Sequence, residues 1–194
     1  MERLDKRYRI QDAAISLFHE QGIETTSVND IVKRASVAKG TFYLYYKDKQ
    51  ELISQILIKQ YGNSLNELLN SSYEIAHTTQ NHWGICFVNE MIEFYLQHQE
   101  ALKMIHKNIT VVLDTQEHRK LVFERIDKLN DFLSVIKREH EEVSVTLNRF
   151  MLIMEMLDVV CYNAIFFHQP DTMEHILPEL KRTLYCMLES EACL

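Results

Sequence analysis

Two helix-start signals bracket the stretch from Ser27 to Leu52 and limit the structures that it can adopt. Ser27 with Asp30 three residues later matches a capping box in which Asp replaces the usual Glu or Gln. Asp48 with Glu51 matches a second capping box, so a new helix is predicted to begin at Asp48. Between these signals lie two short segments joined by a turn of about four residues. This arrangement predicts a helix-turn-helix, a motif whose second helix enters the DNA major groove.

Residues that end helices are scarce in the rest of the chain. Only four Gly and two Pro occur among 194 residues, and apolar residues recur at helical spacing over long stretches. This combination predicts an all-α protein, and the periodic segments number about nine. Residues 144–168 are apolar on nearly every face, so we expect the core to cover one side and a second copy of the chain the other. The last helix, residues 171–189, is expected to complete a four-helix dimer interface.

The sequence also indicates where the chain resides. Its first ten residues, MERLDKRYRI, are charged and lack the apolar stretch of a signal peptide. No run approaches the ~20 consecutive apolar residues that cross a membrane. The four cysteines share no CxxC spacing, which indicates reduced thiols. We therefore predict a cytoplasmic protein with no membrane partner.

Charge is unevenly distributed along the chain. The net charge of −7 would by itself argue against a nucleic-acid partner. Residues 1–49, however, carry nine Lys and Arg against seven Asp and Glu, whereas the remainder is acidic. Ordinary solvated charge would account for so small an excess. Because the basic residues coincide with the helix-turn-helix, we favour the interpretation that this end of the molecule faces the phosphates of DNA.

Catalytic and metal-binding motifs are missing from the sequence. None of the nine His residues forms an i, i+4 pair, and no Cys/His run has the spacing of a zinc site. The sequence contains no GxSxG, P-loop or dinucleotide-binding glycine pattern. We therefore predict no metal, no cofactor and no enzymatic activity.

Residues 7–52 resemble the N-terminal domain of the TetR/AcrR family of bacterial transcription regulators. The matching residues are Ala13, Ala14, Leu17, Phe18, Gly22, Thr26, Ser27, Val28, Ile31, Lys39, Gly40, Thr41, Phe42, Tyr43, Tyr45, Tyr46, Lys49 and Leu52. Two positions depart from the usual form: Ser36 stands where the family has its turn glycine, and Ala38 where it often has serine. A non-glycine residue in a left-handed turn costs about 1 kcal/mol, which a packed domain tolerates.

The resemblance implies an organisation and a function. It implies a DNA-binding domain of three helices over residues 1–50, followed by a helical effector-binding and dimerisation domain over residues 51–194. It further implies a homodimeric repressor that an apolar small-molecule effector releases from a palindromic double-stranded DNA operator. The alternative is a co-regulator of the same fold that acts through a protein partner rather than through its own operator. A third possibility, an all-α small-molecule-binding or catalytic protein, has no motif to support it.

The resemblance also assigns DNA contacts. The residues expected to bind DNA are Thr26, Ser27, Lys39, Gly40, Thr41, Tyr43, Tyr45 and Lys49. Lys39 would reach a base edge or a phosphate, and Gly40 would let the backbone approach the duplex. Thr41 would donate to a phosphate or contact a thymine methyl group. Tyr43 and Tyr45 would contact phosphates, although packing within the domain is the alternative for both.

Aromatic and methionine side chains are frequent in the second domain. The candidate effector-binding residues are Trp83, Phe87, Met91, Phe94, Tyr95, Phe123, Phe150, Met154, Asp158 and Tyr162. Such side chains suit an adaptable apolar pocket, and equally they fill an ordinary core. Asp158 lies one turn after Met154 and needs a partner if it is buried. It would pair with a cationic ligand, pair with Arg149 or Lys181 across a dimer, or reach solvent.

Overall fold

The computed structural model describes residues 2–113 and 115–188, and the side chains of residues 6–107 and 115–188. These residues form ten α-helices and, within the ranges described, no strand. The helices are α1 (Glu2–Gln21), α2 (Val28–Arg34), α3 (Lys39–Tyr43), α4 (Lys49–Thr79), α5 (Trp83–Gln97), α6 (Gln99–Leu113), α7 (Gln116–Phe123), α8 (Leu129–Ile136), α9 (Val143–Phe167) and α10 (Met173–Leu188). The all-α prediction is confirmed. Residue 189, at the predicted end of the last helix, lies outside the described residues.

The helix count exceeds the prediction because one predicted helix is two. The apolar seam through residues 122–136 predicts a single helix, whereas α7 ends at Phe123 and α8 begins at Leu129. Between them the backbone amides of Arg125 and Ile126 donate to carbonyls three residues earlier, as in a turn. The amide of Asp127 donates to Asn66 Oδ1 at 2.9 Å. A side chain of α4 therefore satisfies a backbone amide that the interruption leaves without a helical partner.

Gly62 permits a close approach between α4 and the end of α7. The stretch Gly62-Asn63-Ser64 predicts a possible kink, yet α4 continues through it as one helix. A Cβ at Gly62 would lie 2.8 Å from Arg125 Cδ and 3.2 Å from the carbonyl oxygen of Val122. The missing side chain thus serves packing rather than a bend.

The chain divides into two compact units, Met1–Gln60 and Tyr61–Leu194. In the first unit, α1, α2 and α3 pack on one another around a core that includes the fully buried Ile10, Ile31 and Phe42. Gly22 ends α1 in a left-handed conformation with φ of 89°, and its amide donates to the carbonyl of Phe18. Gly22 thus ends α1 in the way that a left-handed glycine commonly ends a helix.

The turn between α2 and α3 has the left-handed residue that its sequence predicts. Ser36 adopts φ of 52° at the position where the family usually has glycine. Arg9 of α1 donates from Nη2 to the carbonyl oxygens of Ala35, at 2.5 Å, and Ser36, at 3.0 Å. These charge-assisted hydrogen bonds help to offset the cost of a non-glycine residue there.

In the second unit, α5 packs against α6, α8, α9 and α10. By length and composition alone, α9 is long and apolar enough to cross a membrane, a test that core helices also pass. Its buried face carries Arg149, which is ion-paired with Glu141, and Asp158, which is hydrogen-bonded to His106. Because α9 also packs against α6, α8 and α10, these contacts describe a core helix.

The cysteines only partly follow the prediction of reduced thiols. Cys86 and Cys161 are buried and free. Burial raises the pKa of the Cys161 thiol to about 12. Cys186 is disulfide-bonded, so the prediction is wrong at that position. Cys193 lies outside the described residues.

Candidate DNA interface and buried polar centre

Helix α3 presents an open face at the surface of the first unit. Phe42 and Tyr46 are buried, which fixes the rotation of the helix and leaves Lys39, Gly40 and Tyr43 exposed. Lys39 and Tyr43 are four residues apart, so they share one side of the helix. A Cβ at Gly40 would meet no atom within 4 Å. A partner can therefore approach the backbone at Gly40 without displacing protein atoms.

Three predicted DNA-binding side chains are used within the first unit itself. Thr26 is 1% exposed and donates to the carbonyl oxygen of Gly22 at 2.7 Å, a hydrogen bond inside the first unit. The Ser27 hydroxyl accepts from the amide of Asp30, as the capping box predicts. Lys49 Nζ donates to the carbonyl oxygens of Ile23 and Thr26, at 3.0 and 3.1 Å. Lys49 thus ties the start of α4 to the loop before α2.

Thr41 and Tyr45 lie at the margin of the open face. Both are half-buried, and Tyr45 packs against the hydrophobic core of the first unit. Ion pairing also reduces the charge available near this surface. Arg34 makes two hydrogen bonds to Glu20, at 2.7 and 2.8 Å, and this pair holds the pKa of the Glu20 carboxyl below its ordinary value. Among the basic residues near α3, Lys33, Lys39 and Lys47 are exposed.

The predicted effector-binding residues do not form a single cluster. Trp83, Phe87 and Phe150 join Phe132 in an aromatic cluster with ring centroids 5.0–6.0 Å apart. All four side chains are buried, and Trp83 Nε1 donates to the buried hydroxyl of Ser72 at 3.0 Å. This arrangement is what the alternative of an ordinary core predicts. Met91 and Met154 are also buried, whereas Phe94 and Phe123 are half-buried.

A second group surrounds Asp158 and is polar. Asp158 Oδ2 lies 2.7 Å from His106 Nδ1, and the ring of Tyr162 stacks on His106 with 3.7 Å between centroids. Arg149, one of the two protein partners considered for Asp158, is paired with Glu141 instead. Sequence reasoning did not identify His106. Nothing in its local sequence singles it out, since its partner lies 52 residues away.

Two polar atoms in this region are buried without a hydrogen-bond partner. They are Oδ1 of Asp158 and the hydroxyl of Tyr95. Burial raises the pKa of Asp158, while the hydrogen bond to His106 acts in the opposite direction. Burial, followed by the nearby ionisable groups including Asp158, raises the pKa of Tyr95 and of Tyr61. Helices α4, α5, α6 and α9 thus bring Tyr61, Tyr95, His106 and Asp158 together, a group that we call the polar centre.

The outer face of α9 carries a row of exposed apolar side chains, between which Asn148 and Glu155 are also exposed. Val145, Leu152 and Val159 are each about half exposed and are seven residues apart, so they lie on one side of the helix.

In the described side chains, no group of three or more His, Cys, Asp or Glu is placed to hold a metal ion.

Residues 10–56 match the family of bacterial regulatory proteins known as the tetR family. The chain is 29% identical over 108 residues to the uncharacterized HTH-type transcriptional regulator YvdT of Bacillus subtilis, covering 55% of this chain and 54% of YvdT. It is 42% identical over 55 residues to the HTH-type transcriptional regulator AcrR of Shigella flexneri, covering 28% of this chain and 26% of AcrR. These alignments span about half or less of the relatives' lengths.

Solved structures share the whole fold at low sequence identity. FadR from Thermus thermophilus, a TetR family transcriptional repressor in complex with lauroyl-CoA, superposes with a TM-score of 0.62 at 16% identity, covering 96% of this chain and 97% of FadR. A TetR family protein from Vibrio parahaemolyticus superposes with a TM-score of 0.56 at 15% identity, covering 96% of this chain and 100% of the other. These likenesses establish the fold, and residues 10–56 carry the helix-turn-helix domain of the tetR family. Together, the domain match, the HTH-type relatives and the shared fold support a TetR/AcrR family regulator.

Proposed function

We propose that the protein is a homodimeric repressor that binds a palindromic operator and is released by a mostly apolar small-molecule effector. The observation that carries the DNA-binding part is the open face of α3. Lys39 and Tyr43 are exposed on it, and Gly40 leaves the backbone accessible. A cation, a phenol and an accessible backbone are groups that contact phosphates and base edges in a major groove.

The exposed apolar face of α9 supports the dimer. A row of Val145, Leu152 and Val159 facing water would be costly on an isolated protomer, and a two-fold axis would bury it against its own copy. The two DNA-binding domains of such a dimer would contact two half-sites whose centres are about 34–36 Å apart, or a multiple of that distance.

Release by an effector requires that the effector bind the DNA-free dimer more tightly than the DNA-bound dimer. By linkage, the factor by which the effector weakens DNA binding equals the factor by which DNA weakens effector binding. Typical couplings of about 1–3 kcal/mol correspond to roughly 5- to 150-fold. The predicted effector residues outside the aromatic cluster, notably Tyr95, Met154 and Tyr162, are the candidates for this site.

DNA binding is tested by selecting duplexes from a randomised pool with the purified protein. We expect recovery of a palindromic sequence that the protein shifts on a gel and binds more tightly than random DNA. The co-regulator alternative predicts that no sequence is enriched. Failure to enrich a sequence with a folded dimer would therefore replace operator binding by action through a protein partner.

Replacement of Gly40 by Ala separates stability from DNA binding. We expect Gly40→Ala to leave the fold intact or to stabilise it by about 0.5–1 kcal/mol, because Ala is the better helix former and a Cβ there meets no protein atom. Operator affinity should nevertheless fall at least about tenfold, because the new methyl group projects towards the duplex. Urea unfolding and gel-shift titration measure the two effects.

Thr25→Ala, which alters an exposed loop residue of the same unit, is the control for Gly40→Ala and should keep wild-type operator affinity. If Gly40→Ala binds the operator as tightly as the wild-type protein, the backbone of α3 does not approach the DNA.

A further inference from the structure

The polar centre in the second unit contains more hydrogen-bonding capacity than the protein uses. Asp158 is 3% exposed, and its Oδ1 has no partner, while Tyr95 is fully buried and its hydroxyl also has none. A buried polar atom without a partner costs free energy, and native proteins leave few of them. Two in one region indicate a function beyond packing.

The chemistry of these two atoms restricts what can satisfy them. The carboxylate oxygen of Asp158 can only accept a hydrogen bond, whereas the hydroxyl of Tyr95 can donate or accept. Tyr95 on α5 and Asp158 on α9 are buried on helices that pack against one another, and the nearby Asp158 contributes to the raised pKa of Tyr95. A single group that donates to Asp158 and also contacts Tyr95 would satisfy both atoms.

We infer that the polar centre binds the head group of the effector, and that this head group is a hydrogen-bond donor, either a hydroxyl or an amine, rather than an acid. A hydroxyl would donate to Asp158 Oδ1 and accept from Tyr95, and an ammonium group would donate to Asp158. A carboxylate would place a second negative charge beside Asp158 and leave Oδ1 without a donor. This inference rests on the proposed effector response of the protein.

His106 and Tyr162 hold Asp158 in position for this role. His106 occupies Oδ2, so the carboxylate has one oxygen fixed and the other available. The ring of Tyr162 stacks on His106 and restrains the imidazole. Both are positioning residues, because each acts on the head group through Asp158. The site therefore selects head groups by charge and by donor capacity.

Matched ten-carbon ligands test the inference with the full-length protein. Decylamine, 1-decanol and decanoate differ only in the head group, and each is titrated against protein carrying the neutral fluorescent probe N-phenyl-1-naphthylamine. The amine or the alcohol should displace the probe at a concentration at least about tenfold lower than decanoate, as expected for a hydrogen bond to a charged group. Equal or tighter binding of decanoate, or no displacement by any of the three, would overturn the inference.

Two conservative variants locate the effect. Asp158→Asn should abolish the preference for decylamine over decanoate. Tyr95→Phe, which removes only the unpartnered hydroxyl, should weaken the binding of 1-decanol. Gel shifts of both variants without ligand report the proposed DNA binding separately. Unchanged ligand preference in variants that still bind the operator would sink the assignment of the polar centre and leave the proposed function standing.

A different observation concerns Leu44, the C-terminal cap of α3. Leu44 is 74% exposed, more than any other exposed large hydrophobic side chain in the part of the chain whose side chains are described. It lies four residues after Gly40 and next to Tyr43, on the open face of the helix. We infer that Leu44 packs against the C5-methyl group of a thymine in the operator, a contact by which apolar side chains recognise this base.

Uracil substitution tests the contact with Leu44 because it removes only the thymine methyl group. In the selected duplex, replacing one thymine per half-site by uracil should weaken wild-type binding about fifteenfold, as expected for loss of two buried methyl groups, one in each half-site. Leu44→Ala should bind the two duplexes equally, and the control Leu121→Ala, in the other unit, should keep the wild-type difference. A Leu44→Ala protein that still prefers thymine, or a wild type indifferent to every substitution, would refute the contact.

Discussion

Replacing Val159 by Glu should convert the dimer to a monomer. Val159 is 44% exposed on the apolar face of α9 that we assign to the dimer interface. By two-fold symmetry each dimer would bury two unpaired carboxylates, and each costs several kcal/mol to remove from water. The dissociation constant should therefore rise roughly a thousandfold or more. Sedimentation at micromolar concentration would detect the monomer. Operator affinity should also fall, because a monomer has one DNA-binding domain and contacts only one half-site.

The matched control for Val159→Glu is Val135→Glu. Val135 is 45% exposed on α8 of the same unit, so the two substitutions introduce the same charge at equal exposure. Val135→Glu should remain dimeric and bind the operator as the wild type does. A Val159→Glu protein that sediments as a dimer would show that another surface forms the interface.

The first unit could be predicted from sequence because its decisive signals are local. The Ser27 and Asp30 capping box forms as predicted, and Asp48 Oδ1 accepts from the amide of Glu51 at 2.9 Å. Gly22 and Ser36 adopt the left-handed conformations that their positions in helix ends and turns predict. Each of these features depends on residues within about four positions of one another, which a sequence displays directly.

Long-range partners account for what the sequence did not predict. Lys49 looks like a phosphate contact, yet its ammonium group binds carbonyl oxygens 23 and 26 residues earlier. The interruption between α7 and α8 depends on Asn66, which lies 61 residues before the amide that it accepts from. The apolar seam there continues across the break, so periodicity alone cannot locate it.

Replacing Glu141 by Gln should strongly destabilise the protein, because it breaks the ion pair with Arg149. Glu141 Oε1 lies 2.5 Å from Arg149 Nη1, and the two side chains are 11% and 9% exposed. Arg149 also donates to the carbonyl oxygen of Ile136, so the pair joins the end of α8 to α9. Glu141→Gln leaves the buried guanidinium without a counterion, which costs about 3–5 kcal/mol. Urea unfolding followed by circular dichroism measures the loss.

The pH dependence of this difference identifies the ion pair as its cause. Hydrogen bonds from Arg149 lower the pKa of the Glu141 carboxyl from 4.5 to about 2. Because the folded-state pKa lies below the unfolded one, the stabilisation is fully present above about pH 4.5 and disappears as the pH falls through about 2. The wild-type protein and Glu141→Gln should therefore differ by a constant amount near neutral pH and converge in acid. Glu179→Gln, which breaks the exposed pair with Arg182, is the control and should cost little at any pH. If Glu141→Gln loses no more stability than this control, the pair with Arg149 does not stabilise the junction of α8 and α9.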